Sequence, residues 1–388
     1  MKLSWFLLSA ALLLIACRSD DDFNTGGAIP SFPVDHTDVS ISELGRLLFY
    51  DPILSGNRDV SCATCHHPSE GYADGRALSL GIDATGLGTN RTPNDPGNIV
   101  GFVRRNSPTI VNTRFNGMDE DGIFNPTTAP MFWDNRMQSL ENQALGPIAD
   151  FAEMRGHAFD ETVAVDSILQ RLRDNETYTA LFAGAFNNNN SITSENLARA
   201  IAEFERGIVA TNSPWDQFQA GDNNAVSQAA RRGFQRFNQI GCNDCHSGPM
   251  FSDYQLHTLG VPDHNLLDTP DTGADNNFAF RTPTLRNLGE TGPYFHNGVG
   301  NDLAETIRFY NTARGFANGG PGNAPGNNGL RINPNVNRNQ IDNDIRNLQP
   351  INNNDVQDIL AFLEALHDPN FDREIPTSLP SGLPVTGQ

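Results

Sequence analysis

A mainly α fold in two domains, with long ordered loops between helices, is what the sequence predicts, and three observations predict it. First, Cys-x-x-Cys-His occurs twice, as Cys62-Ala63-Thr64-Cys65-His66 and as Cys242-Asn243-Asp244-Cys245-His246. This spacing attaches haem c: each thiol adds across one vinyl group of the macrocycle, and the adjacent imidazole reaches the iron from the same face. A four-cysteine zinc site built from two Cys-x-x-Cys knuckles is the competing reading. Zinc does not require a histidine directly after both pairs, and an export signal opens the chain. Second, apolar residues recur at helical spacing while strand signals are few. Third, 35 Gly and 24 Pro beside a hydrophobic content of 38% point to loops packed around cofactors rather than large sheets. The expected architecture is therefore two cytochrome-c-like haem domains, at 39–213 and 214–370, followed by a tail at 371–388.

In chain order, Lys2 precedes an apolar run from Leu3 to Ala16 that ends in Leu14-Ile15-Ala16-Cys17. A basic start, a short apolar core and small residues before the break make residues 1–16 a secretory signal rather than a membrane span. A cysteine after Leu-Ile-Ala resembles a bacterial lipoprotein box, in which Cys17 becomes the lipidated first residue and holds the chain on a bilayer. An ordinary signal with an incidental cysteine is the alternative. Residues 17–38 read as a tether, and Ser19-Asp20-Asp21-Asp22 resembles an acidic surface-export tag. The chain is thus expected outside the cytoplasm, as a periplasmic-facing or surface lipoprotein with no other membrane contact.

Glu43 to Tyr50 reads as a short helix stopped by Asp51-Pro52, with the first haem motif following. Gly71 to Asn106 reads as a loop over the first haem. Asp160 to Asp174 places Val163, Val165, Ile168, Leu169 and Leu172 on one face, and Ser194 to Ala210 does so with Leu197, Ile201, Phe204 and Ile208. Asn187 to Asn190 breaks the helical run between them. A boundary falls near Ser213-Pro214, after which Ala225 to Ile240 forms a helix leading into the second haem motif. Gly315 to Pro350 is a second long loop. Asn354 caps a last helix through Leu366.

Four of the five cysteines belong to the haem motifs and the fifth is Cys17, so none remains for a disulfide. A formal charge of -20 argues against nucleic acid and anionic lipid surfaces as partners. It suits a basic electron-transfer partner such as a small cytochrome, and equally a soluble acidic surface with no particular partner.

Further residues carry a family resemblance. In order they are Leu44-Gly45-Arg46-Leu47-Leu48-Phe49-Tyr50-Asp51-Pro52, the first haem motif, Arg105-Asn106-Ser107-Pro108-Thr109, Phe132-Trp133-Asp134, Gln143-Ala144-Leu145-Gly146-Pro147 and Glu153-Met154. After the second haem motif come Thr282-Pro283-Thr284-Leu285-Arg286-Asn287 and Gly292-Pro293-Tyr294-Phe295-His296-Asn297-Gly298. From about Leu44 to Leu366 the chain resembles the bacterial dihaem cytochrome c peroxidases, the family that includes MauG.

The resemblance implies a first haem open to hydrogen peroxide, with Glu153 as its acid-base group and Gln143 and Pro147 as the other distal residues. It implies Trp133 as a stepping stone between the haems. It also implies a calcium ion held by Asn106, Thr291 and Pro293, with sodium or water as alternatives. The second haem has His246 as one ligand. Where conventional members have a methionine, this chain has Tyr310, as MauG has a tyrosine; His257, His264 and His296 are the alternatives. The loop from Pro68 to Asn106 also lacks the histidine that closes the first haem in conventional members, and His157 is the nearest candidate. His67 reads as a loop residue rather than a ligand.

Three functions follow from that resemblance. One is a peroxidase fed with electrons by a small cytochrome c or cupredoxin. The second is a MauG-like oxidase of aromatic side chains in a partner protein, through a high-valent dihaem state. The third is a non-enzymatic dihaem electron carrier.

Overall fold

Eleven α-helices carry the fold within residues 40–95, 102–322 and 329–387, the part of the chain that this computed structural model describes. The stretches read as signal peptide and tether, with Cys17, lie outside the described residues. The helices are α1 (Ile41–Tyr50), α2 (Cys62–Cys65), α3 (Leu140–Ala149), α4 (Ala164–Arg173), α5 (Glu176–Phe186), α6 (Ser194–Gly207), α7 (Pro214–Gln219), α8 (Gln228–Ile240), α9 (Leu303–Ala317), α10 (Asn343–Asn347) and α11 (Asn353–Ala365). Among the described residues, strand is confined to three two-stranded antiparallel ribbons, Ala84–Thr85 with Thr92–Pro93, Pro130–Met131 with Met137–Gln138, and Leu256–His257 with Phe280–Arg281.

Local chemistry sets the helix ends. Ser40, Thr193, Ser213 and Ser227 accept a hydrogen bond from a first-turn N–H of α1, α6, α7 and α8, satisfying donors that the helix leaves orphaned. Asn187, in the left-handed conformation, ends α5. The last helix starts differently from the sequence expectation: Asn352, not Asn354, is its cap, and its side chain accepts from the N–H groups of Asn354 and Asp355. The Asp355 side chain answers by accepting from the Asn352 N–H at 3.0 Å, a reciprocal box that favours the earlier position.

Two helix crossings repeat the same chemistry. Where α1 meets α6, a Cβ on Gly45 would lie 1.9 Å from the Ala200 carbonyl oxygen. Where α8 meets α11, a Cβ on Gly233 would lie 1.9 Å from the Asp358 carbonyl oxygen. Only glycine lets the backbones approach so closely. One turn beyond each glycine, a phenylalanine meets another on the facing helix: Phe49 with Phe204 at 5.0 Å and Phe237 with Phe362 at 5.4 Å. Phe49, Phe204 and Phe362 are fully buried, each burial stabilising by roughly 1.5–3 kcal/mol.

Long connections join the halves. Arg105 bridges Asp134 at 2.7 Å and Asp271 at 2.6 Å, and the Arg281 N–H donates to the Trp133 carbonyl at 2.7 Å. Residues 371–387, the tail of the sequence reading, return to the N-terminal half. Asp372 pairs with Arg46 at 2.6 Å, Ser381 donates to Asp51 at 2.7 Å, and Ser61 donates to Thr386 at 2.8 Å. The described residues belong to one compact unit.

Candidate active site

Each Cys-x-x-Cys-His winds through one helical turn. The His66 N–H donates to the Cys62 carbonyl at 3.0 Å and the His246 N–H to the Cys242 carbonyl at 2.9 Å. Residues three and four apart share a face of such a turn, so both sulfurs and the imidazole of each motif face one cavity. The four cysteines are free of disulfides.

Both imidazoles are oriented alike. His66 Nδ1 lies 3.2 Å from the Tyr72 carbonyl oxygen and His246 Nδ1 lies 3.1 Å from that of Phe251. A backbone acceptor fixes the proton on Nδ1 and turns the Nε2 lone pair toward the cavity, the arrangement of a metal-ligating histidine. Burial depresses both pKa values, that of His246 to about 4. Both rings are therefore neutral and able to ligate at neutral pH.

The first cavity measures about 470 Å³ and the second about 230 Å³. Cys62, Cys65 and His66 line the first; Cys242, Cys245 and His246 line the second. Asn106, Trp133 and Arg281 line both. The Trp133 indole N–H donates to the Asn106 carbonyl at 2.9 Å, and the Asn106 N–H donates to the His296 carbonyl at 2.8 Å. Phe132, just before Trp133, has a positive φ of 64°, a strained conformation of the kind found at functional positions. Paired thiols, a fixed neutral imidazole and largely apolar walls in each cavity fit one c-type haem apiece.

Glu153, Gln143 and Pro147 all reach the first cavity. Gln143 and Pro147 sit one turn apart on α3; Glu153 lies in a short π-helical turn, Phe151–Arg155. Burial, with the neighbouring Asp150 charge, pushes the Glu153 pKa up to about 7, and Arg136 opposes the shift. The loop at Ser79–Ala84 backs this turn. A Cβ on Gly81 would lie 2.0 Å from the Ala152 carbonyl oxygen, and the Ile82 N–H donates to the same oxygen at 3.2 Å. His66 is the only histidine among the described residues lining this cavity. His157 is exposed and packs against Phe151 instead.

Tyr310, on α9, is half-buried and lines the second cavity. No hydrogen bond reaches its hydroxyl among the described residues, and burial pushes its pKa up. Of the alternative histidines, His264 does not line this cavity, and both ring nitrogens of His257 are engaged, Nδ1 by Asp342 at 2.7 Å and Nε2 by Asp253 at 2.9 Å. Burial opposes charge on His257, yet the hydrogen bonds its ring makes to Asp253, Cys245 and Asp342 push its pKa up to about 11. His296 does line the cavity, with its ring stacked on Phe280 at 3.5 Å. Met250, the last methionine in the chain, is buried and lines neither cavity. Asn106, Thr291 and Pro293 all line the second cavity.

One residue escaped the sequence reading: Glu205, buried on α6 and lining the first cavity. A signal was present, since it follows Leu197 and Ile201 at intervals of four on the apolar stripe of that helix.

A dihaem c-type oxidoreductase is the class that these two cavities define. A family profile for di-haem cytochrome c peroxidases matches residues 40–224. The chain is 32% identical over 296 residues to the methylamine utilization protein MauG of Methylophilus methylotrophus, covering 75% of this chain and 78% of that one. It is 31% identical over 283 residues to the cytochrome c551 peroxidase of Pseudomonas aeruginosa, covering 70% and 72%. Among solved structures, a MauG-like protein associated with microbial copper homeostasis aligns with a TM-score of 0.65 at 24% identity, over 89% of this chain and 95% of that one. The diheme peroxidase BthA of Burkholderia thailandensis aligns at 0.64 and 22%, over 90% and 92%, and shares the fold. The chain belongs to the dihaem cytochrome c peroxidase and MauG family, oxidoreductases with two c-type haems that act on hydrogen peroxide. Among the described residues no helix is long and apolar enough to cross a membrane.

Proposed function

We propose that hydrogen peroxide is reduced to water in the first cavity, and that the second cavity relays the electrons, with MauG-like ligation of its iron. The asymmetry of the first cavity carries this reading: His66 is its single histidine among the described residues, while Glu153, Gln143 and Pro147 line it. The haem, when bound, supplies an iron that takes peroxide and exchanges electrons. Glu153 takes the proton from the near peroxide oxygen at its carboxylate and returns it to the far one, which leaves as water. With two electrons and two protons per peroxide, two waters form. The Gln143 amide orients the peroxide, and Pro147, which has no N–H, presents only its ring. The Ser79–Ala84 loop, packed on the Glu153 turn, excludes water and holds that carboxyl in place. Trp133, pinned through its indole N–H, spans the two cavities as the electron stepping stone.

Tyr310 is the proposed second ligand of the second iron, supported by its place on the wall of the second cavity and a hydroxyl that no hydrogen bond reaches among the described residues. An anionic tyrosinate stabilises ferric iron and lowers the potential. That favours withdrawal of electrons from a partner protein's aromatic side chains, the activity on which MauG-like ligation bears, over supply by a small cytochrome c or cupredoxin. A mere electron carrier has no use for a buried carboxyl of raised pKa beside an open haem. Calcium at Asn106, Thr291 and Pro293 and lipid attachment at Cys17 complete the proposal, as does a division into haem domains near Ser213. The Asn106 side chain supports the calcium site, since its Nδ2 donates to the Arg76 carbonyl at 2.7 Å and its Oδ1 accepts nothing among the described residues.

The test is an optical titration of the fully oxidised protein with one equivalent of hydrogen peroxide. A prompt, long-lived spectral change is expected. An inert ferric protein that reacts only after one-electron reduction would mean a closed first haem and conventional cytochrome c peroxidase behaviour.

A further inference from the structure

We propose that Glu205 is a second proton-holding carboxyl of the first cavity, taking up a proton when the haem there gains an electron and releasing it when the electron leaves. Glu205 stands on α6, one turn beyond Ile201, which lines the same cavity. It is only 5% exposed, and among the described residues no hydrogen bond or ion pair reaches its carboxylate. The neighbouring cation is taken: Arg206 pairs with Glu141 at 2.6 Å and Glu203 at 3.2 Å.

The other elements around α6 offer no counter-charge either. On α1, Arg46 is paired with Glu43 and Asp372. On α2 the nearest titratable groups are Cys62 and Cys65, which the haem consumes. On α3 it is Glu141, which repels. On α4, Arg173 donates to the Ile192 carbonyl and Arg171 to those of Ile53 and Ser55. Arg114, on the Thr113–Phe115 turn, lies over Phe115. Elsewhere on the cavity wall stand the acids Asp134, Asp150 and Glu153 and the cations Arg104, Arg105, Arg136 and Arg281. Arg105 pairs with Asp134 and Asp271, Arg136 with Asp134, Arg104 donates to Thr269 and Arg281 to the Pro130 carbonyl.

A buried carboxylate with no donor is expensive, so the neutral acid is favoured wherever no positive charge stands close by. Burial, helped by Glu141 and opposed by Arg206, pushes its pKa up to about 8. The charge that changes most in this cavity is that of the iron. With haem bound there, its ferric iron would favour the ionised Glu205 carboxylate; one added electron would remove that attraction, and Glu205 would then take one proton from solvent and become the acid. Peroxide consumes two protons with its two electrons, and Glu205 would store one of them beside the site. The inference rests on the first cavity holding the haem joined to Cys62 and Cys65, and it is independent of peroxide reactivity.

The test is a spectroelectrochemical titration of the haem-loaded full chain across pH, with haem content measured separately. In the wild type the first haem's midpoint potential should fall with pH by about 59 mV per unit, the value for one proton per electron. Glu205→Gln should flatten that slope. A Glu205→Gln protein with an unchanged slope overturns the proposal. Should that variant fail to load haem, Glu205→Asp keeps the carboxyl and must keep the slope. In the wild type itself, the redox-difference infrared spectrum must contain a protonated-carboxyl C=O band that shifts in D2O, and its absence overturns the proposal as well.

Discussion

Replacing Glu153 with glutamine keeps the size of the side chain and removes the only step it is proposed to perform. The Glu153 pKa of about 7 sets how the reaction with peroxide should depend on pH, because the carboxylate must be ionised to take the first proton. With a pKa of about 7, roughly one-eleventh of the molecules are ionised at pH 6 and roughly ten-elevenths at pH 8. The second-order rate constant of the oxidised wild type with peroxide should therefore rise about tenfold over that interval and level off above it. A positioned acid-base group contributes about 10²–10⁴-fold, so Glu153→Gln should be slower by that factor and flat across the same pH range. Stopped-flow absorbance of the Soret band under excess peroxide measures both. A glutamine variant within about threefold of wild type, or a wild-type profile without the rise, would show that Glu153 does not shuttle the proton.

Three further outcomes follow from the packing and the ligation. Tyr310→Phe should raise the potential of the second haem and change its optical spectrum, while His296→Leu leaves both in place; the reverse pattern would make His296 the ligand. Gly45→Ala and Gly233→Ala each force a Cβ to within 1.9 Å of a carbonyl oxygen, so each should cost at least the roughly 1–3 kcal/mol of overpacking, read as a lowered Tm of the haem-loaded protein. Arg105→Leu strands the carboxylate of Asp271, whose side chain is 6% exposed, while Asp134 keeps Arg136 at 2.8 Å. Breaking such a buried pair typically costs about 3–5 kcal/mol, measurable by denaturant titration. Though burial opposes it, Arg105 holds both carboxyls below their ordinary value. Their stabilisation should thus be fully present above about pH 4 and fade as pH falls through their folded-state values.

Much of this site is legible in the sequence because its chemistry is written in contiguous residues. Cys-x-x-Cys-His is a single helical turn, so spacing alone specifies that two sulfurs and an imidazole share a face. Helices that begin at Ser or Thr caps and end at Asn187 or Gly241 follow from local hydrogen bonding. The order of family segments from Leu44 onward leads to Glu153, Gln143, Pro147 and Trp133, and the structure places the first three on one cavity and Trp133 between two. Where local signals compete, the reading drifts. Asn352 and Asn354 are both good caps, and only the reciprocal bond with Asp355 selects the former. Pro147 inside α3 disguises that helix, because proline removes a ladder donor.

By itself, the sequence determined the two Cys-x-x-Cys-His turns, the family to which the chain belongs and the mainly helical class, since each rests on spacing within a turn or on an ordered set of short segments. Only the tertiary structure decided that residues 371–387 pack against the first half, that His257 is clamped between Asp253 and Asp342, and that Glu205 lines the first cavity without a partner among the described residues. Those facts depend on residues tens or hundreds of positions apart being brought together by burial. A charged residue on an apolar stripe announces that something is unusual. Which cavity it faces, and what charge it meets there, is settled by packing alone.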